Sequence, residues 1–241
     1  MCFFKRLTFL NEPLLLACMA GKDIYAGIVL GVSTVIFLVM ILMSFIWGNT
    51  GFVPDMIAFI VLSLFFYFTY EKWNLNLPIY TMLILGFIPH ALGFMGFYLN
   101  TPIGLAWDHF THIMPIFAFG LLFFNFLYPW MDRKLFTQKT IFLILVVLLA
   151  ASGVGVVIEL IEFSGFLVYG FGEGALAFGA GDACTGQLVS TFEEIDAYGG
   201  GWFNTMYDLI WNSIGALSAV VLMILFHYVI KRPRKNLFDE Y

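Results

Sequence analysis

The sequence predicts an all-α fold: a polytopic membrane helical bundle of about six transmembrane helices, with both termini cytoplasmic. Three observations carry this. The 241 residues are 61% hydrophobic and only 11% charged, too little charge to cover a soluble domain of this size. Several apolar runs reach the roughly 20 residues that a helix needs to cross a bilayer. With the N-terminus placed inside, all 11 Lys and Arg fall on the inner side of those runs, the asymmetry that the positive-inside rule describes. A β-barrel would show short alternating segments instead. The net charge of -5 and the absence of a basic groove with interleaved aromatics leave no case for nucleic acid. The expected partners are membrane lipids.

Residues 1–23 read as a cytoplasmic or interfacial segment, with Asn11 capping a short helix and Glu12 and Pro13 in its first turn. Leu15-Leu16-Ala17-Cys18 resembles a lipidation box, but Asn11-Glu12-Pro13 interrupts the apolar region that a signal needs. The transmembrane domain spans 24–230. Its first span covers about Ile24–Trp47, ended by Gly48-Asn49-Thr50-Gly51. The second covers about Val53–Tyr70, the third Pro78–Leu99, the fourth Leu105–Trp130, the fifth Thr140–Tyr169 and the sixth Trp202–Ile230. A long outer loop, 170–201, is rich in Gly and acidic residues, and a basic tail, 231–241, ends the chain inside. Neither an internal repeat nor a second domain is visible. Cys2, Cys18 and Cys184 form no CxxC pair, and the topology separates the first two from the third, so neither a redox motif nor an internal disulfide to Cys184 is expected.

The polar residues inside the spans are the informative ones. The fourth span opens Trp107-Asp108-His109-Phe110-Thr111-His112. Asp108 and His112 are i, i+4 and share a helix face, roughly 6 Å apart along the axis. Glu159 and Glu162 are i, i+3 on the fifth span, and Asp208 and Asn212 are i, i+4 on the sixth. His90 lies in the outer half of the third and Asp55 at the outer lip of the second. Chain direction therefore brings these groups to one depth, near the outer face. Each also has a structural explanation. His90 could pack, Asp108 could cap its helix, and Asn212 could join helices. The two glutamates are harder to explain so, because carboxylates one turn apart repel unless paired, protonated or bound to a cation. Together, ionisable groups inside a membrane point to function.

The expected site is outward-facing and metal-dependent. Asp108, His112, Glu159, Glu162 and Asp208 would hold a divalent cation such as Zn²⁺ or Mn²⁺, with His90, His109, Asn212 and Asp182 behind them or facing substrate. Glu159, Glu162 and Asp108 would be the catalytic groups of a hydrolase whose metal-bound water attacks a lipid-linked or membrane-bound ester or phosphate. The alternatives are an ion- or proton-coupled transporter and a structural or partner-binding subunit. The loop Gly170-Phe171-Gly172-Glu173-Gly174 lacks the Gly-Lys-Ser/Thr ending of a phosphate-binding loop, and no Gly-x-Ser-x-Gly or His-Glu-x-x-His motif occurs.

The combination of Asp108 with His112, Glu159 with Glu162, and Asp208 with Asn212 and Gly215 resembles the YjdF-like family of multi-spanning inner-membrane proteins. The Gly181-Asp182 pair and Thr205-x-Tyr207-Asp208 match the family's stretch before its last span, although Asn204 stands where Asp is common and Tyr207 where Trp is common. The pattern is also similar to the VanZ-like membrane family, which has Gln where Glu162 stands here. The resemblance implies a fold and a membrane location; it implies no particular reaction.

Overall fold

A computed structural model describes residues 24–98, 103, 106–169 and 200–230. The N-terminal segment 1–23, Asp182 with nearly all of the loop 170–201, and the tail 231–241 lie outside the described residues. Within them the secondary structure is helical: α1 (Ile24–Trp47), α2 (Val53–Phe68), α3 (Leu77–Ala91), α4 (Trp107–Leu127), α5 (Gln138–Tyr169) and α6 (Gly200–Ile224). Single 3₁₀ turns prolong α3 over Leu92–Met95 and α4 over Tyr128–Trp130, and a π-helical turn ends α6 over Leu225–Ile230.

Five of these helices, with their extensions, are long and apolar enough to cross a membrane. The expected second span differs. Its helix stops at Phe68 after 16 residues, about 24 Å at 1.5 Å per residue, short of a hydrocarbon core of about 30 Å. The reason is local. Thr69 Oγ1 donates back to Phe65 O at 2.6 Å, and the chain then turns through Asn74, which holds a positive φ of 50°. The third span also ends earlier than its apolar sequence suggests, because Gly96 takes φ 82°, a left-handed conformation that stops a helix.

Caps follow ordinary chemistry. Asn76 Oδ1 accepts from Ile79 N at 3.0 Å, just ahead of Pro78 in the first turn of α3. Thr137 Oγ1 accepts from Thr140 N at 3.2 Å at the start of α5. At the same end of the bundle, Tyr228 donates to Asp132 O at 3.0 Å and so ties the end of α6 to the α4–α5 connection.

Helix α4 is the centre of the packing: α3, α5 and α6 all lie against it, while α1 and α2 pack on each other and on α3. In α1 only Ala26, Ser33, Phe37 and Ser44 are buried. They form one narrow stripe, and the rest of the helix presents Ile, Val and Leu outwards, as a lipid-facing helix does. The larger apolar core joins α2, α3 and α4 through Phe52, Met56, Tyr80, Leu83, Phe87 and Phe124.

Without a hydrophobic force between helices in lipid, close approach depends on small residues. A methyl group added at Gly86 would lie 2.9 Å from Pro115 Cα, bringing α3 against α4. One at Gly215 would lie 2.5 Å from Ile113 O, and one at Gly120 2.6 Å from Ala219 Cβ, both drawing α6 onto α4. At Gly155 it would meet the Asn212 amide at 2.6 Å, setting α5 against α6. Two of these four contacts, Gly215 on Ile113 and Gly155 on Asn212, lie beside the acidic residues of α4, α5 and α6.

A candidate metal centre where three helices meet

The acidic groups arrive at one place because α4 and α6 run one way and α5 the other. Asp108 and His112 are in the first turns of α4, Glu159 and Glu162 in the last third of α5, and Asp208 two turns into α6. His112 is the hub. Its Nε2 lies 3.5 Å from Asp108 Oδ1 and 3.4 Å from Asp208 Oδ1, and its Nδ1 lies 3.5 Å from Glu159 Oε1. His112, Glu159, Glu162 and Asp208 each offer a donor atom, and those atoms all lie within 4.8 Å of one another. Asp208 is 1% exposed and Glu159 7%, whereas Glu162 is half-buried.

The separations are informative. Donors spaced 3.4–3.5 Å apart are wider than good hydrogen bonds. The two at His112 Nε2, to Asp108 and Asp208, are close to the roughly 3.4 Å between neighbouring ligands of a tetrahedral ion with bonds of about 2.1 Å. One ring nitrogen of His112 can take an ion while a carboxylate holds the other, the usual support of a metal-bound imidazole. Glu159 Oε1 and both amide atoms of Asn212 are buried with no hydrogen-bond partner among the described residues. Buried polar atoms of that kind call for an ion or ordered water.

Charge makes the same demand. Two like unit charges 4.8 Å apart repel by about 3–4 kcal/mol at an effective dielectric near 20. Glu159, Glu162 and Asp208 form three such pairs, and one imidazolium offsets only part of that. A divalent cation or retained protons must neutralise the rest.

The other expected residues divide. Asn212 sits one turn below Asp208, packed on Gly155, as a polar floor. His109 turns aside: its ring stacks on Trp211 at 4.9 Å and 27° and lies 6.2 Å from Tyr207. His90 belongs to a neighbouring group, with Nε2 at 3.2 Å from Asp55 Oδ2 and Nδ1 at 2.6 Å from the Tyr98 hydroxyl. Sequence reasoning missed Tyr98, Thr111 and Trp211. Thr111 lay in plain view between His109 and His112, but a threonine in an apolar helix carries no charge signal.

Residues 28–228 match the family described as Predicted membrane protein (DUF2238). The chain belongs to that family. Neither a curated protein nor a solved structure matches it. Membership covers α1 to α6 almost completely, so the cluster lies inside the family's domain, and a multi-pass membrane location follows from the family together with the five long apolar helices.

Proposed function

We propose that the cluster on α4, α5 and α6 is a divalent-cation site, and that this DUF2238 protein is a membrane-embedded, metal-dependent hydrolase acting on a lipid or membrane-bound substrate. The single observation that carries the reading is the gathering of donor atoms from His112, Glu159, Glu162 and Asp208 within 4.8 Å of one another, with Asp108 Oδ1 3.5 Å from His112 Nε2. Zn²⁺ or Mn²⁺ suits a mixed imidazole and carboxylate set. When bound, such an ion would polarise an ester or phosphate oxygen and acidify a water. The chain's own part is to fix the ligands: Glu159 would hold the ion beside His112 and Asp208, Glu162, the less buried of the two glutamates, can take the proton of the attacking water, and Asn212 can donate to a substrate oxygen from below.

The remaining fine points of this reading rest on the sequence. Counting α2 as a sixth span puts both termini in the cytoplasm with every Lys and Arg inside. The cluster then opens outwards. The likeness to YjdF-like proteins is consistent with the family assignment.

A transporter is the second reading, since buried carboxylates and imidazole also suit ion binding. Against it, the path closes below the cluster, where Gly120 of α4 packs on Ala216 and Ala219 of α6. Elemental analysis of the detergent-purified protein separates the readings. The expected result is one Zn or Mn per chain, lost in Glu159→Gln and Asp108→Asn while both variants stay folded. Retained metal in both variants overturns the site as drawn. Absence of metal even after Zn²⁺ and Mn²⁺ are added overturns the hydrolase.

A further inference from the structure

The cluster stands in a part of the chain that has no Lys or Arg. Stretches 23–71, 73–132 and 140–230 contain neither residue. The basic residues that the structure describes, Lys72, Arg133, Lys134 and Lys139, belong to the other end of the bundle. Asn74, two residues after Lys72, donates to Asn125 O at 3.3 Å and accepts from the Asn125 amide. Asn125 is in the last turn of α4 and Asp108 in its first, about 25 Å apart at 1.5 Å per residue. Arg133 and Lys134 follow in the α4–α5 connection, and Lys139 is in the first turn of α5. None of these side chains can touch a group bound at the cluster.

Charge at the cluster has the opposite sign. Asp108 joins Glu159, Glu162 and Asp208 around His112, and Asp55 pairs with His90 on the neighbouring helices at 3.2 Å. One divalent ion would balance two of the four carboxylates. A phosphate ester bound beside it adds negative charge that no guanidinium or ammonium is there to meet, and phosphoryl transfer is normally stabilised by such clamps. A second ion could take their place, but two-ion sites need a further set of ligands for an ion about 3.5–4 Å from the first. The described residues offer one such set of donors.

A carbonyl compound makes no such demand. It arrives neutral, and one negative charge develops on the carbonyl oxygen as water adds. The fold supplies a group suited to that oxygen. Asn212 is 1% exposed, and neither atom of its amide has a hydrogen-bond partner among the described residues. It is one turn beyond Asp208 on α6 and lies against Gly155, one turn before Glu159 on α5. Its amide is therefore directly beneath the acids, where an N–H donates without bringing a charge of its own.

We propose that the cluster takes a neutral acyl linkage, a carboxylic ester or amide, and turns away phosphate esters, with the Asn212 amide as donor to the carbonyl oxygen. The proposal rests on the hydrolase reading above and narrows its substrate. In the step, the water oxygen bonds to the acyl carbon and its proton passes to Glu162. The bond from that carbon to the alcohol oxygen or amide nitrogen then breaks, and the same proton leaves on the departing atom. One water is consumed, and a carboxylic acid and an alcohol or amine are formed.

The experiment uses the full chain in detergent, loaded with Zn²⁺ or Mn²⁺, and four probes: dioctanoylglycerol, dioctanoyl phosphatidylcholine, dioctanoyl phosphatidic acid and octanoyl ceramide. Mass spectrometry of the products shows which bond is cut. Phosphatidylcholine carries both kinds of bond in one molecule. The expected product is octanoic acid, from the glycerol esters if the linkage is an ester and from ceramide if it is an amide. Diacylglycerol formed from either phospholipid, or phosphatidic acid formed from phosphatidylcholine, overturns the proposal and leaves the hydrolase reading standing. No cleavage of any bond by the loaded protein overturns both. Acyl release that persists in Asp108→Asn does not come from the cluster and overturns the proposal too. Binding gives a readout without turnover. Titration calorimetry should detect octanoyl hydroxamic acid, a neutral carbonyl compound, and no binding of inorganic phosphate at millimolar concentration. Asn212→Leu should weaken the hydroxamic acid roughly tenfold, the loss of about one buried hydrogen bond, without lowering metal content. Should that variant fail to fold, Asn212→Ala removes the same donor. Phosphate binding as tight as that of the hydroxamic acid, or an affinity unchanged by loss of the Asn212 amide, overturns the proposal.

Discussion

At the scale of single residues, His112 is the position on which the others depend. It is 4% exposed and lies within 3.5 Å of three carboxylates. Truncating it leaves those acids uncompensated in a low-dielectric interior. We expect His112→Ala to destabilise the metal-free protein by about 3–5 kcal/mol, the usual cost of breaking a buried pair from one side. Asp208→Asn in the same background should recover part of that loss, because it removes one of the stranded charges. Thermal unfolding of the two single variants and the double variant measures the coupling. A purely additive cycle would mean that the two groups do not interact. The exposed pair Lys139 and Asp132, 3.9 Å apart with Lys139 60% exposed, is the contrast. Lys139→Ala should change the unfolding temperature little, since such surface pairs contribute roughly 0–1 kcal/mol.

At the scale of helices, glycine decides how near the ligands come. Gly215→Ala places a methyl group 2.5 Å from Ile113 O, against backbone that cannot move aside cheaply. The expected cost is about 1–3 kcal/mol from overpacking, together with a weaker hold on metal, because α6 carries Asp208 two turns earlier. Gly155→Ala presses instead on the Asn212 amide at 2.6 Å. It should disturb the floor of the site while leaving α4 against α6 unchanged. Measuring unfolding temperature and metal stoichiometry on both variants distinguishes the two interfaces. Gly31, where a methyl group would meet nothing within 4 Å, is the control: Gly31→Ala should be neutral or slightly stabilising, as helix propensity favours Ala.

For the whole molecule, the prediction concerns sidedness. Six spans put the cluster and the α3–α4 connection outside, with the α4–α5 connection inside. In a chain whose Cys2, Cys18 and Cys184 are replaced by Ser, a cysteine at Ile103 should react with a membrane-impermeant thiol reagent added to intact cells. One at Phe136, which is 87% exposed, should react only after the membrane is opened. The reverse pattern would mean that the molecule is inverted or that α2 does not cross, and reaction of both from outside would mean that α4 does not cross. The 16 residues of α2 make that helix the one whose crossing depends on local thinning of the bilayer or on help from its neighbours.

Much of this was legible before any fold was known. Long apolar runs must be helices in lipid, because every backbone group has to be satisfied within its own segment. The helix order, and the side to which each acid falls, follow from chain direction alone. The spacing of Asp108 and His112, and of Glu159 and Glu162, likewise fixed which face each pair shares. What period and hydropathy do not encode is the rotation of one helix against another. That rotation is set by contacts between small residues distant in sequence, such as Gly215 on Ile113 and Gly155 on Asn212. It turned His112 and Asp208 towards each other, turned His109 onto Trp211, and drew His90 to Asp55 and Tyr98. The early stop of α2 was likewise beyond hydropathy, because Thr69 and Asn74 act through hydrogen bonds and backbone angle. The sequence alone determined a helical membrane protein with acids and histidines at one end. The tertiary structure decided which of them meet, because side-chain donors only a few ångströms long coincide only when three helices hold one mutual rotation.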